Sequence, residues 1–143
     1  MKSQRIILTV TRGSFEGKKY ALQGPCQCLV GRAGDCDIQL PAAHREISRH
    51  HCLLEIDPPI VRVRDLGSWN GTYVNGEMIG RRVEHLPASE PDRSTFASRE
   101  LKDADELELG AFVFRVGIGI PPGKLDTTLV LGVSSVNALP NAG

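Results

Sequence analysis

The sequence predicts an all-β chain, a sandwich or a barrel, and three observations predict it. Apolar residues recur at every second position in short runs, which is the period of a half-buried strand. Turn-forming residues separate these runs at intervals of about 8–12 residues, the spacing of sandwiches and barrels. No long segment carries the apolar period of a helix.

The strands follow in order. Ile6, Leu8 and Val10 share one face of the first. After the turn Arg12-Gly13-Ser14-Phe15-Glu16-Gly17, Tyr20 and Leu22 share a face of the second. Cys28 and Val30 mark a third. Cys52, Leu54 and Ile56 alternate with His51, Leu53 and Glu55, and Val61 and Val63 alternate with Arg62 and Arg64. Phe112, Phe114 and Val116 close the pattern. The core candidates are therefore Ile6, Leu8, Val30, Leu54, Val63, Phe112 and Phe114.

Composition bounds the function. The chain has 143 residues, enough for one domain with its own core. Acidic and basic residues balance at 17 each, with no basic stripe, so no nucleic-acid partner is expected. No apolar run approaches the roughly 18 residues that span a bilayer, so no membrane partner is expected either. The start of the chain lacks a signal-peptide pattern. Cysteines 26, 28, 36 and 52 then read as free thiols of a cytoplasmic protein. Cys26-Gln27-Cys28 is not a metal knuckle and no second pair follows, so neither metal nor cofactor is expected, although His50 and His51 lie nearby.

Three loop signals carry the function. Gly31-Arg32 ends one strand-like run, and Ser48-Arg49-His50-His51 precedes another. Leu66-Gly67-Ser68-Trp69-Asn70-Gly71-Thr72-Tyr73-Val74-Asn75-Gly76 places two Asn-Gly turns around a short apolar run. If these loops share one end of a sandwich, arginine, serine and asparagine converge on one patch suited to a phosphate ester.

The order and spacing of the three signals resemble a forkhead-associated (FHA) domain over roughly residues 5–116. The resemblance implies an all-β, FHA/SMAD-like antiparallel β-sandwich of two sheets, with about eleven strands and its binding loops at one end, and a site that reads phosphothreonine. It implies that Arg32 clamps the phosphate; Asp35 and Asp37, close by in sequence, are candidates to pair with it when no ligand is bound. Ser48 donates to a phosphate oxygen, with Arg49 adding charge. Asn70 bonds the peptide main chain, and Ser68 replaces a hydroxyl contact that Trp69, standing where the family often has a small polar residue, does not provide. Trp69 either covers an apolar part of the peptide or tucks back against the domain. Gly31, His51, Gly71, Asn75 and Gly76 support the binding loops, and Glu46 disfavours acidic residues after the phosphothreonine. The implied partner is a phosphothreonine-containing protein, a Ser/Thr kinase or its substrate.

Two segments stand outside the strand pattern. Residues 87–100 form a polar loop insertion before a turn in which Ala104 replaces a common family glycine. The domain is expected over 1–117, with 118–143 as a linker or C-terminal tail. Within the tail, Thr127 and Thr128 are candidate phosphorylation sites; the plainer reading is ordinary linker sequence, with room for a short strand at 128–130. Two other classes of function are weighed: a hydrolase built on Ser48 and His51, disfavoured by their spacing on a strand end and by the lack of a nucleophile elbow, and a phosphate-independent β-sandwich assembly module.

Overall fold

The computed structural model describes residues 5–82, 98–120 and 129–132. Most of the polar insertion and the Thr127-Thr128 pair lie outside the described residues. Among the described residues twelve strands form two sheets: β1 Arg5–Arg12, β2 Lys19–Gln23, β3 Cys26–Gly31, β4 Ile38–Gln39, β5 Cys52–Asp57, β6 Ile60–Asp65, β7 Thr72–Val74, β8 Glu77–Gly80, β9 Arg99–Leu101, β10 Glu106–Leu109, β11 Phe112–Ile120 and β12 Leu129–Gly132. No helix occurs among the described residues. Eleven strands come before residue 121, the expected number; β11 runs three residues into the segment expected as tail, and β12 lies within it and pairs with β2, so the described part of 118–143 is strand rather than linker.

One sheet has the order β12-β2-β1-β11-β10-β7-β8 and the other β4-β3-β5-β6-β9. The pairing is antiparallel as expected except at β3–β4 and β12–β2, which are parallel. The first exception arises because residues 32–37 fold back along β3 before β4 begins. Asp37 fastens that return, with its amide donating to the Leu29 carbonyl and its carboxylate accepting from the Leu29 amide, both at 2.8 Å.

Period-two alternation decides which side chains fill the space between the sheets. All seven core candidates are at most 1% exposed. Phe112 and Phe114 lie on one face of β11 with ring centroids 6.4 Å apart, and Phe15 meets Phe112 edge-on at 5.7 Å. Each such side chain contributes roughly 1.5–3 kcal/mol of hydrophobic burial.

Strand direction gathers the functional loops at one end. Cys52 starts β5 opposite Asp65 at the end of β6, and Val30 near the end of β3 faces Cys52. Thr72 at the start of β7 faces Leu109 at the end of β10. The β3–β4, β4–β5, β6–β7 and β10–β11 connections therefore share that end. Asn75 and Gly76 do not. They form the β7–β8 turn at the other end of β7, with φ angles of 51° and 84°. Asn75 donates to Asp105 Oδ1 at 3.0 Å and accepts from the Glu106 amide at 2.9 Å. The pair braces the start of β10, and its expected support of the binding loops is corrected.

Ala104 occupies the left-handed region with φ of 75°, where a Cβ crowds the backbone. It stays there because its amide donates to the Val116 carbonyl at 2.7 Å and the Asp105 amide closes the turn onto Lys102 at 3.0 Å. Replacing Ala104 with glycine removes that strain. Ala104→Gly is expected to raise stability by about 1 kcal/mol in urea unfolding, and an unchanged or lower midpoint would contradict the strained geometry.

Candidate functional site

The site is built from backbone first. Gly31 ends β3 where the chain passes so close to the neighbouring loop that a Cβ would stand 2.1 Å from the Arg49 carbonyl oxygen. Only glycine permits this approach. It allows the Arg32 amide to donate to the Ser48 carbonyl at 3.2 Å and the Ala33 amide to the Arg49 carbonyl at 3.0 Å. The arginine and serine segments are thereby locked side by side.

Arg32 is half-buried, and its Nε donates to the Ile47 carbonyl at 2.5 Å. That bond aims the guanidinium, and among the described residues its two terminal nitrogens make no hydrogen bond. The expected pairing with Asp35 and Asp37 does not occur: Asp35 binds His50 at 2.8 Å, and Asp37 is committed to Leu29. Ser48 Oγ accepts from the Trp69 amide at 3.0 Å, which leaves its hydroxyl hydrogen free to donate. Arg49 is exposed. Asn70 is exposed, and its Nδ2 donates to the Glu46 carbonyl at 2.8 Å, leaving Oδ1 as an acceptor.

His51 is fully buried and joins three loops. Its Nδ1 accepts from the Ser48 amide at 3.1 Å, and its Nε2 donates to the Gly71 carbonyl at 2.9 Å. The ring is therefore the neutral Nε2–H form. Both nitrogens are committed to backbone, so His51 is not placed to take a proton from Ser48 Oγ and the weighed dyad does not form. Gly71 turns with φ of 95°, presenting its carbonyl to His51 and its amide to Ser68 Oγ at 2.9 Å.

Ser68 requires a correction. It is fully buried, and its hydroxyl donates to Asp65 Oδ1 at 2.5 Å while accepting from Gly71. It braces the β6–β7 loop and cannot reach a ligand. Its partner Asp65 is a residue the loop motifs did not single out. Asp65 is fully buried and also accepts from the Gly67 amide at 2.8 Å, the Ser68 amide at 2.9 Å and Thr72 Oγ1 at 2.6 Å. The sequence signal was present: an aspartate followed two and three residues later by Gly67 and Ser68 is an Asx-turn pattern.

Trp69 does not tuck back. It is 58% exposed, and the Arg82 guanidinium lies over its ring, 4.5 Å from the centroid. Glu46 Oε2 accepts from the Ala111 amide at 3.3 Å and pairs with His44 Nδ1 at 3.1 Å. His44 Nε2 in turn meets Ser14 Oγ at 2.8 Å, tying the β1–β2 turn to the same end. Hydrogen bonds from its own amide, His44 and Ala111 hold the Glu46 carboxyl below its ordinary range, so it is charged at neutral pH. The four cysteines are free and buried, and burial raises each thiol pKa, that of Cys36 to about 11. All four are protonated at neutral pH.

The end loops of the β-sandwich thus present an aimed arginine, a serine hydroxyl and an asparagine amide together. A family profile described as FHA domain matches residues 28–110. The glycogen accumulation regulator GarA of Mycolicibacterium smegmatis is 31% identical over 119 residues, covering 82% of this chain and 63% of that protein. The oxoglutarate dehydrogenase inhibitor of Corynebacterium efficiens is 32% identical over 113 residues, covering 78% of this chain and 66% of that protein. A structure described as a structural and functional analysis of phosphothreonine-dependent FHA domain interactions aligns with a TM-score of 0.61 and 25% identity, covering 82% of this chain and 98% of that one. The chain belongs to the FHA domain family, and its alignments span just under two thirds of the two curated relatives.

Burial holds the His51 pKa below its ordinary 6.5, against the opposing pull of the Gly71 carbonyl and Asp65. The unfolded chain takes up a proton near 6.5, whereas the folded ring resists it. His51 therefore contributes stability that is complete above about pH 6.5 and is lost as pH falls through the folded value. Urea unfolding midpoints should drop over that acid window. The drop should be shallower in His51→Gln, which has no titrating ring; an identical pH profile in the variant would refute the assignment.

Proposed function

We propose that the loop end of the sandwich is a phosphothreonine-peptide site in which Arg32 grips the phosphate and Ser48 donates to it. Arg49 adds positive charge at the rim. Asn70 offers Oδ1 to a peptide amide while its Nδ2 stays anchored on Glu46. One observation carries the reading: the terminal nitrogens of Arg32, oriented by the Nε–Ile47 bond, have no partner among the described residues, beside a serine with an unused donor. Guanidinium suits the role because it stays charged and presents a planar fork to phosphate oxygens.

The domain recognises phosphothreonine on partner proteins in Ser/Thr kinase signalling. It is a binding module rather than a catalyst, and buried, reduced thiols fit a cytoplasmic setting. No helix among the described residues is long and apolar enough to cross a membrane. Trp69 covers an apolar part of the bound peptide, and the charged Glu46 disfavours acidic residues following the phosphothreonine.

The test is titration of one labelled peptide carrying phosphothreonine, phosphoserine or no phosphate. Binding should be strongest to the first, weaker to the second and absent for the third. Arg32→Ala should cost about 2–3 kcal/mol or more of binding with the fold intact, and Ser48→Ala and Asn70→Ala should weaken it less. Equal binding of all three peptides would favour a phosphate-independent assembly module.

The tail carries a second proposal. Thr127 or Thr128, once phosphorylated, is a ligand for the site of the same or a neighbouring chain. What supports it is register: β12 starts with Leu129 opposite Tyr20, at the end of β2 that follows the β1–β2 turn, on the side of the binding loops. A synthetic peptide of residues 122–132 phosphorylated at either threonine should bind better than the unmodified peptide. Equal affinity would reduce the segment to a linker.

A further inference from the structure

Beside the phosphate-facing groups, the same two loops bring together three side chains of different chemistry. A carboxylate oxygen of Asp35, the sulfur of Cys36 and a ring nitrogen of His50 all lie within 4.8 Å of one another. Asp35 Oδ1 and His50 Nε2 are already 2.8 Å apart. Their side chains are 65% and 48% exposed, so the cluster opens to solvent. Cys36 closes it from beneath, with its thiol donating to the Arg49 carbonyl at 3.2 Å.

We propose that Asp35, Cys36 and His50 form a divalent-metal site, best matched to zinc, that clamps the β3–β4 loop to the β4–β5 loop. One nitrogen, one sulfur and one oxygen donor suit a borderline-soft ion without a fixed geometric demand. Zinc bonds of about 2.0–2.3 Å place tetrahedral donors roughly 3.2–3.7 Å apart. The cluster reaches this by small rotations. Asp35 and His50 separate slightly, and the thiol swings off the Arg49 carbonyl. Three protein donors leave a fourth position for water on the solvent side. Sequence spacing hid the site, because Asp35 and Cys36 are neighbours while His50 arrives from the next loop.

Binding exchanges charge in a defined way. The metal brings two positive charges, and Cys36 releases one proton to solvent as its sulfur becomes a thiolate ligand. The loop end gains one net positive charge, adjacent to Arg32 and Arg49. If the loop patch binds phosphothreonine peptides as proposed above, metal and phosphopeptide each strengthen the other's binding by the same factor.

Cobalt(II) is the probe, titrated into the reduced domain. One equivalent should produce thiolate-to-cobalt charge-transfer absorption in the near ultraviolet, and zinc should displace it. Cys36→Ser should abolish the band. Asp35→Asn and His50→Gln, both at exposed positions, should each weaken cobalt affinity by at least about tenfold. No band in the wild type would overturn the site. A band that survives Cys36→Ser would overturn it too, because the sulfur would then come from Cys26, Cys28 or Cys52. Phosphopeptide titration with and without zinc is read separately: an intact cobalt site with no change in peptide affinity removes the coupling and leaves the metal site standing.

Discussion

The recognition end of this domain hangs on a buried carboxylate. Asp65 ends β6 with no solvent exposure, a placement that costs several kcal/mol unless the charge is compensated. Four donors compensate it: two consecutive amides and two hydroxyls, all from residues 67–72. The β6–β7 loop has no apolar content deep enough to hold its shape, so this polar cluster holds it. From Ser68 the network passes through the Gly71 amide, and from the Gly71 carbonyl to His51. From His51 it passes to the Ser48 amide, and the Ser48 hydroxyl receives the Trp69 amide. A loop fixed by Asp65 thus fixes the histidine, and the histidine fixes the serine beside Arg32. Removing one member strands buried polar groups along the chain, and stranding them costs more than any one bond contributes.

Net charge hid the electrostatic character of the site. The chain is formally neutral, yet its loop end presents Arg32, Arg49 and Arg82. Among the described residues the neighbouring carboxylates form no ion pair with them, because each is hydrogen-bonded elsewhere. Asp35 faces His50, Asp37 serves the Leu29 amide, Glu46 holds His44 and Ala111, and Asp65 is sealed in its cluster. Local hydrogen bonding, rather than composition, leaves the positive charge unspent. A neutral total argues against a long polyanion, which needs an extended basic track, and leaves room for one phosphate.

What could be read from the chain follows the same division. The sandwich and its core were legible at Ile6, Leu8, Leu54, Val63 and Phe112 because a strand has only two faces and period two assigns them. The end-loop gathering was legible because turn residues mark where strands stop. Side-chain roles inside the loops were less so. A serine hydroxyl serves a ligand or a buried carboxylate with equal chemistry, and Ser68 and Ser48 differ only in burial, which no local pattern encodes. Asn75-Gly76 looks like Asn70-Gly71 in sequence, but three residues of β7 separate them and send them to opposite ends. The parallel β3–β4 pair depends on Asp37 capturing Leu29, a contact between the two ends of one short return.

The backbone arrangement around Gly31 also bears on how the site binds. Arg32 and Ser48, Ala33 and Arg49, and Gly31 and Leu40 are joined by main-chain hydrogen bonds, which do not depend on any ligand. The loops are therefore shaped before a peptide arrives, and little chain entropy remains to be lost in them on binding. The exposed side chains differ. Arg49 and Asn70 present their groups from the surface, and Trp69 is held by its amide and by the Arg82 guanidinium over its ring. Rigidity is concentrated where the phosphate would sit, and adaptability where flanking peptide residues would lie. Under the proposed function, that division would let one phosphate-reading centre accept varied sequences, with selectivity set by the rim. The loop is held by Asp65, Ser68 and the main chain, so the exposed Trp69 side chain beside Asn70 takes no part in positioning Arg32 and Ser48.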